Sequence, residues 1–216
     1  MNDLSLRSDV LDELEFEPSV DAANIGVAAD KGVVTLSGHV ASYAEKTATL
    51  AAVRRVTGVR GIADEIEVRY PSHKKTSDDE IAKRALDILR WDATLPADTM
   101  RVLVRDGWVT LTGKVNWYYQ KKNADDDVRK LSGVHGVINN IEIAPSVQAS
   151  NIKQKIEDAL KRHAEVEAKG INVIVQNGNK VVLEGKVDNW DERVAVETAA
   201  WSAPGVASVE DNLKIA

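Results

Sequence analysis

The chain contains no cysteine, one phenylalanine, five prolines and two methionines among its 216 residues. Without cysteine there is no disulfide framework and no thiolate metal site. No segment approaches the roughly 18 consecutive apolar residues that a membrane-spanning helix needs. The opening residues Met-Asn-Asp-Leu-Ser-Leu-Arg-Ser-Asp-Val lack a basic stretch running into an apolar one. No secretory signal is therefore expected, and the expected location is cytoplasmic. A processed or truncated form would instead suit the periplasm. Histidine is scarce too. His39, His73, His135 and His163 share no repeated column, and none has a neighbouring serine or cysteine placed as a nucleophile. His163 and Glu165 stand two apart, a spacing that does not bring two ligands together on a helix. The expectation is a protein that is not an enzyme, with no catalytic residue, no metal site and no cofactor.

What is present is one pattern written three times. Val33-Val34-Thr35-Leu36-Ser37-Gly38-His39-Val40 returns as Trp108-Val109-Thr110-Leu111-Thr112-Gly113-Lys114-Val115. It returns more loosely as Val181-Val182-Leu183-Glu184-Gly185-Lys186-Val187. Twenty residues past each glycine comes Gly58-Val59, Gly133-Val134 or Gly205-Val206, and an apolar segment follows. The period is 75 residues and then 72. Solenoid units run to roughly 20–50 residues, so this spacing means tandem small domains. Their expected bounds are residues 1–70, 76–144 and 150–216. Units of this size lie near the lower limit for a single core.

Each unit reads helix, strand, strand, helix, strand. In the middle copy Ser77 and Glu80 have the spacing of a capping box. Ile81, Ala85, Ile88 and Leu89 then recur at helical spacing. The matching columns hold Leu6, Val10, Glu13 and Leu14, and then Ile152, Ile156, Ala159 and Leu160. Arg105-Asp106-Gly107 marks a hairpin between two strands. Val109, Leu111, Gly113 and Val115 share one face of the second strand, where a glycine suggests a bulge or a closely packed helix. Ala124, Val128 and Leu131 stripe a second helix, with Gly133 placed for a left-handed C-cap. The last helix crosses over, so the second and third strands should be parallel. The fold class is therefore α+β: three tandem αββαβ domains, each a small three-stranded mixed sheet with two helices on one face.

The Val-Val-Thr-Leu-Ser-Gly-x-Val segment, the Glu45-Lys46 pair, the Gly-Val turn and the Asn140-Ile141 and Asn212-Leu213 strands resemble the BON domain. The resemblance covers essentially the whole chain as three copies. The polar pair becomes Gln120-Lys121 in the middle copy and Glu192-Arg193 in the last. The resemblance implies a non-enzymatic module that binds phospholipid surfaces and serves bacterial osmotic or envelope stress. It also implies export for members of the osmotically induced type, whereas the opening residues here carry no export signal.

Charge singles out one unit. Residues 1–71 carry 7 basic and 12 acidic groups, residues 72–145 carry 12 and 11, and residues 146–216 carry 9 and 11. Only the middle unit can approach an anionic surface without strong repulsion. It also holds Trp117, Tyr119, Lys121 and Lys122, aromatics beside lysines as at a lipid headgroup interface. These four are the candidate lipid-binding residues, with an anionic phospholipid surface as partner. Packing of the rings against a neighbouring unit is the structural alternative. Tyr118 shares its column with Tyr43 and Trp190, which assigns it to packing.

Gly58-Val59-Arg60-Gly61 and Gly133-Val134-His135-Gly136 match the G-x-x-G of nucleic-acid-binding KH modules. Here, however, the loop leads into a strand and the chain is acidic, so no nucleic acid partner is expected. Asp125-Asp126-Asp127 reads as a solvated helix face. Its counterpart Leu50-Ala51-Ala52 reads as a second apolar face. Two rival functions stand beside lipid binding: a soluble sensor of a cation such as K⁺ or Ca²⁺ or of a small ligand, and a protein-interaction or chaperone-like module. The oligomeric state is left open.

Overall fold

A computed structural model describes residues 2–71, 76–144, 151–162 and 170–215. His73, His163 and Glu165 lie outside the described residues. The first repeat consists of α1 (Asp3–Phe16), β1 (Ile25–Asp30), β2 (Val33–Val40), α2 (Tyr43–Arg55) and β3 (Gly61–Val68). The second runs through α3 (Asp78–Trp91), β4 (Met100–Arg105), β5 (Trp108–Val115), α4 (Tyr118–Val128) and β6 (Gly136–Ile143). The third comprises α5 (Ile152–Arg162), β7 (Ile171–Gln176), β8 (Lys180–Val187), α6 (Trp190–Trp201) and β9 (Ser208–Ile215). Each repeat forms its own three-stranded sheet with the second strand in the centre. The hairpin strands pair antiparallel in all three. The crossover strand pairs parallel in the first and third. The expected fold class is thus the observed one. By packing, the chain divides into two compact units, Met1–Gly113 with Lys122–Ile141, and Lys114–Lys121 with Glu142–Ala216.

The first repeat shows why the fold forms. The Asn2 side chain accepts the Ser5 N–H at 2.7 Å and starts α1. Leu6, Val10 and Leu14 follow at four-residue spacing and are buried. They join Val34 and Leu36 from β2 and Ala52 and Val53 from α2 in one cluster, so both helices cover the same sheet face. Burial of each large side chain contributes about 1.5–3 kcal/mol. Leu36, Leu111 and Leu183 are fully buried at equivalent places, as are Val53, Val128 and Ala200. In the stripe of α3, Ile81, Ala85 and Leu89 are buried and Ile88 is half-buried. Glu13 sits at the stripe's edge and binds Arg55 at 2.8 Å.

Four local expectations need correction. The glycine on the core face of the second strand marks neither a bulge nor a helix, because the ladder runs unbroken past Gly38 and Gly185. Instead, the carbonyl of the residue before the first strand occupies the place of a Cβ: Asn24 against Gly38, Thr99 against Gly113, Gly170 against Gly185. Gly133 has a φ of 90°, but it lies in the turn beyond the end of α4 rather than at its cap. Ser77 is the N-cap of α3 yet makes no side-chain cap bond; its hydroxyl donates to Asp79 at 2.6 Å. Asp78 turns away to accept the Asp106 and Gly107 N–H groups at 2.8 and 2.9 Å, which ties the hairpin to the helix start. Finally, Leu50-Ala51-Ala52 is no second apolar face. Ala52 is in the core and Leu50 packs against it, leaving only Ala51 exposed.

Candidate functional site

The first residue of the polar pair in each second helix is built alike in all three repeats, and its role is structural. Glu45 accepts the Ala41 N–H at 2.9 Å, Gln120 the Asn116 N–H at 3.1 Å, and Glu192 the Asp188 N–H at 2.6 Å. Each fastens the strand-to-helix turn from the third helical residue. In the first and third repeats the following basic residue reaches the third strand. Lys46 meets Asp64 at 2.9 Å and Arg193 meets Asp211 at 2.6 Å. Asp64, Asn139 and Asp211 in turn each accept the N–H two residues on, at 3.1, 3.2 and 2.9 Å. Lys121 stands in the Lys46 column, and the column of Asp64 holds Asn139 in this repeat, an amide in place of a carboxylate. Burial pushes its ammonium below the usual lysine range.

Trp117 occupies a column with a different duty. The matching Ser42 and Asn189 are N-caps whose side chains accept the N–H of Glu45 at 3.1 Å and Glu192 at 2.8 Å. Tryptophan has no acceptor to offer there. The Gln120 side chain takes the Trp117 N–H at 3.1 Å, so the turn is held without the usual cap. The middle repeat has given up an N-cap for an aromatic ring at this corner. Such local inconsistency is expected at functional or strained sites.

The four candidate lipid-binding residues differ in accessibility. Tyr119 is 50% exposed and Lys122 is exposed, whereas Trp117 and Lys121 are half-buried. Lys122 forms an ion pair with Asp126 one turn on. Tyr118 is committed elsewhere: its ring stacks on Trp201 with centroids 4.3 Å apart and planes 7° from parallel. That is the packing role expected for its column. Of the ten exposed large apolar side chains among the described residues, six belong to the middle repeat: Leu86, Trp91, Leu103, Trp108, Tyr119 and Ile138.

The linker between the first two repeats is anchored by Tyr70. Its hydroxyl donates to the Val134 carbonyl at 2.7 Å and accepts the Tyr43 N–H at 3.3 Å. Its ring stacks on His135 at 5.7 Å, and burial pushes its phenol up. Two open clefts of about 850 and 580 Å3 flank it. Arg84 and Lys130 line the larger one, but Arg84 pairs with Glu80 at 2.7 Å and Lys130 with Asp127 at 3.8 Å, so it offers little net positive charge. Neither cleft touches the candidate lipid-binding residues. Among the described residues, no group of three or more His, Asp or Glu side chains could hold a metal ion. No described helix is long and apolar enough to cross a membrane.

The repeat with its second helix locked to its third strand is a known module. The model of the BON domain matches residues 2–70, 77–145 and 148–216. The chain is 28% identical over 151 residues to osmotically-inducible protein Y of Escherichia coli (strain K12), covering 66% of this chain and 73% of that protein. Among solved structures it is similar to the C-terminal domain of CdsD, described as the structural protein of the type III secretion system of Chlamydia trachomatis. That match has 15% identity, covers 100% of both chains and has a TM-score of 0.27. A second CdsD structure has 16% identity and a TM-score of 0.26, covering 98% of this chain and 92% of that one.

Proposed function

The chain belongs to the BON-domain family, and from that premise we propose that it is a non-catalytic binding protein of the osmotic-stress response whose middle repeat contacts anionic phospholipid surfaces. The osmotic link rests on its similarity to osmotically-inducible protein Y. The surface role rests on one coincidence. The repeat that carries no net negative charge is also the repeat that exposes most of the large apolar side chains, and it has replaced an N-cap with Trp117. Basic residues near an anionic bilayer contribute about 1 kcal/mol each. Tyr119 and Trp117 would enter the headgroup region, with Lys122 exchanging Asp126 for a lipid phosphate.

Co-sedimentation of the full chain with vesicles tests this. Binding to phosphatidylglycerol-containing vesicles, and little to pure phosphatidylcholine, is expected. Trp117→Ala with Tyr119→Ala should weaken binding most at high salt, where charge is screened. Lys121→Glu with Lys122→Glu should weaken it most at low salt. Equal binding to both vesicle types, or no change in either double variant, would rule out this site.

A further inference from the structure

The sheet faces turned away from the helices carry opposite chemistry in the first two repeats. We propose that the outer sheet face of the first repeat of one copy packs on the outer sheet face of the second repeat of another copy of this chain.

Apart from the exposed Val33 at the end of the central strand, the first face is small and acidic. Ala28 pairs with Thr35 and Thr35 with Ala63, which makes a flat row across all three strands. Asp30 and Glu65 stand exposed beside it. The second face is large and basic. Seventy-five residues on, the columns of Ala28 and Ala63 hold Leu103 and Ile138, which are 61% and 44% exposed. The columns of Gly26 and Asp30 hold Arg101 and Arg105, both exposed. Small has become large, and at the Asp30 position acid has become base, at matching register positions of one fold.

Two sheets pack face to face when the side chains of one fit between those of the other, about 10 Å apart. Leu103 and Ile138 would lie over the Ala28–Thr35–Ala63 row, with the arginines reaching the carboxylates at its margins. Among the described residues, Asp30, Glu65, Arg101 and Arg105 have no ion-pair partner within the chain. Like faces repel, so the contact joins first to second repeat and never first to first. In the third repeat the central position of this row is Val182, only 4% exposed, so no third open face competes there. Three strands about 4.8 Å apart and about five residues long present roughly 250 Å2. A stable complex buries about 800 Å2 per partner, so the association is reversible and weak unless two such contacts form between one pair of copies.

Sedimentation velocity of the full chain, run up to roughly millimolar concentration, reads this out. The sedimentation coefficient should rise with concentration and fall with added salt. Arg101→Glu with Arg105→Glu should abolish the rise, as should Asp30→Lys with Glu65→Lys. Mixing the two double variants should restore it, because each then supplies the face that the other has reversed. Circular dichroism checks that both variants are folded, and all four positions are at the surface. A wild-type coefficient independent of concentration would overturn the proposal. So would association that survives either charge reversal, or folded variants that fail to complement each other. Vesicle binding by an otherwise monomeric wild type, lost on Arg101→Glu with Arg105→Glu, would assign the basic face to lipid instead.

Discussion

The repeated glycine of the second strand offers the sharpest test of the packing, because the third repeat holds its own control. Gly185 has a φ of 136°, and a Cβ built on it would stand within 3 Å of the Gly170 carbonyl oxygen and crowd Ile171 Cα. Gly178, in the hairpin of the same repeat, has a φ of 79° but nothing within 4 Å of its Cβ position. Alanine at Gly178 should cost only the left-handed strain, about 1–2 kcal/mol. Alanine at Gly185 carries similar strain and must also push the start of β7 away. Ile171 pairs with Gly185 at the end of the ladder, so at least one or two backbone hydrogen bonds are lost at about 1 kcal/mol each. The sum is about 2–4 kcal/mol. At about 4–8 °C per kcal/mol for a small domain, Gly185→Ala should lower the transition by roughly 8 °C or more and Gly178→Ala by roughly half that. Thermal melts followed by circular dichroism measure both. If Gly185→Ala is as mild as Gly178→Ala, the close carbonyl is not the reason for glycine in this column. Gly38→Ala and Gly113→Ala should then fail to be severe as well.

Three further outcomes are expected. Lys46→Met removes the contact with Asp64 and the bond to the Ile66 carbonyl at 2.7 Å. Urea unfolding should show a loss of about 1–2 kcal/mol, and a smaller one once Asp64→Asn is already present, since only the bond to the Ile66 carbonyl is then left to lose. Asp127 lies where the other repeats bury Ala52 and Ala199, and its carboxyl is pushed up by burial and then by the charge of Asp92. A raised folded pKa means that its ionisation costs stability above that value and nothing below the ordinary 3.8. Asp127→Ala should therefore raise the melting temperature at pH 7, and the gain should shrink as pH falls toward 4. Trp117→Ser restores the N-cap of the other two repeats. It should stabilise the chain by about 1 kcal/mol in thermal or urea melts while weakening vesicle binding; a variant both less stable and equally bound would show that the ring serves packing alone.

The fold was legible because its signals are local and repeated. Leu36, Leu111 and Leu183 stand out by strand alternation, and three aligned copies remove the ambiguity that one copy would leave. Single-residue geometry was less legible. Nothing in the sequence says that the neighbour of Gly113 is a carbonyl of its own hairpin rather than a helix, since main-chain approach leaves no side-chain pattern. Nor does Ser77 reveal that its hydroxyl prefers Asp79 to a backbone N–H, because the acidic run at residues 78–80 offers competing acceptors. Leu50-Ala51-Ala52 misled because a helix packed on a sheet beside another helix has a core stripe wide enough to take in Ala52 and Leu50.

The candidate site was legible only as a departure from the repeat. Columns that agree across three copies report what the fold demands: Glu45, Gln120 and Glu192 hold a turn, and Lys46 and Arg193 hold a strand. Columns that disagree report what one copy does alone. Trp117 in an N-cap column, Asp127 in an alanine column, and Leu103 and Ile138 in the columns of Ala28 and Ala63 all fall in the middle repeat. The first two run against local stability, and the last two expose apolar area where the first repeat has alanine. Since the same fold stands on either side without them, the fold does not need them. If the proposed contacts are the reason for these departures, disruption of binding should map to these residues ahead of any in the shared core.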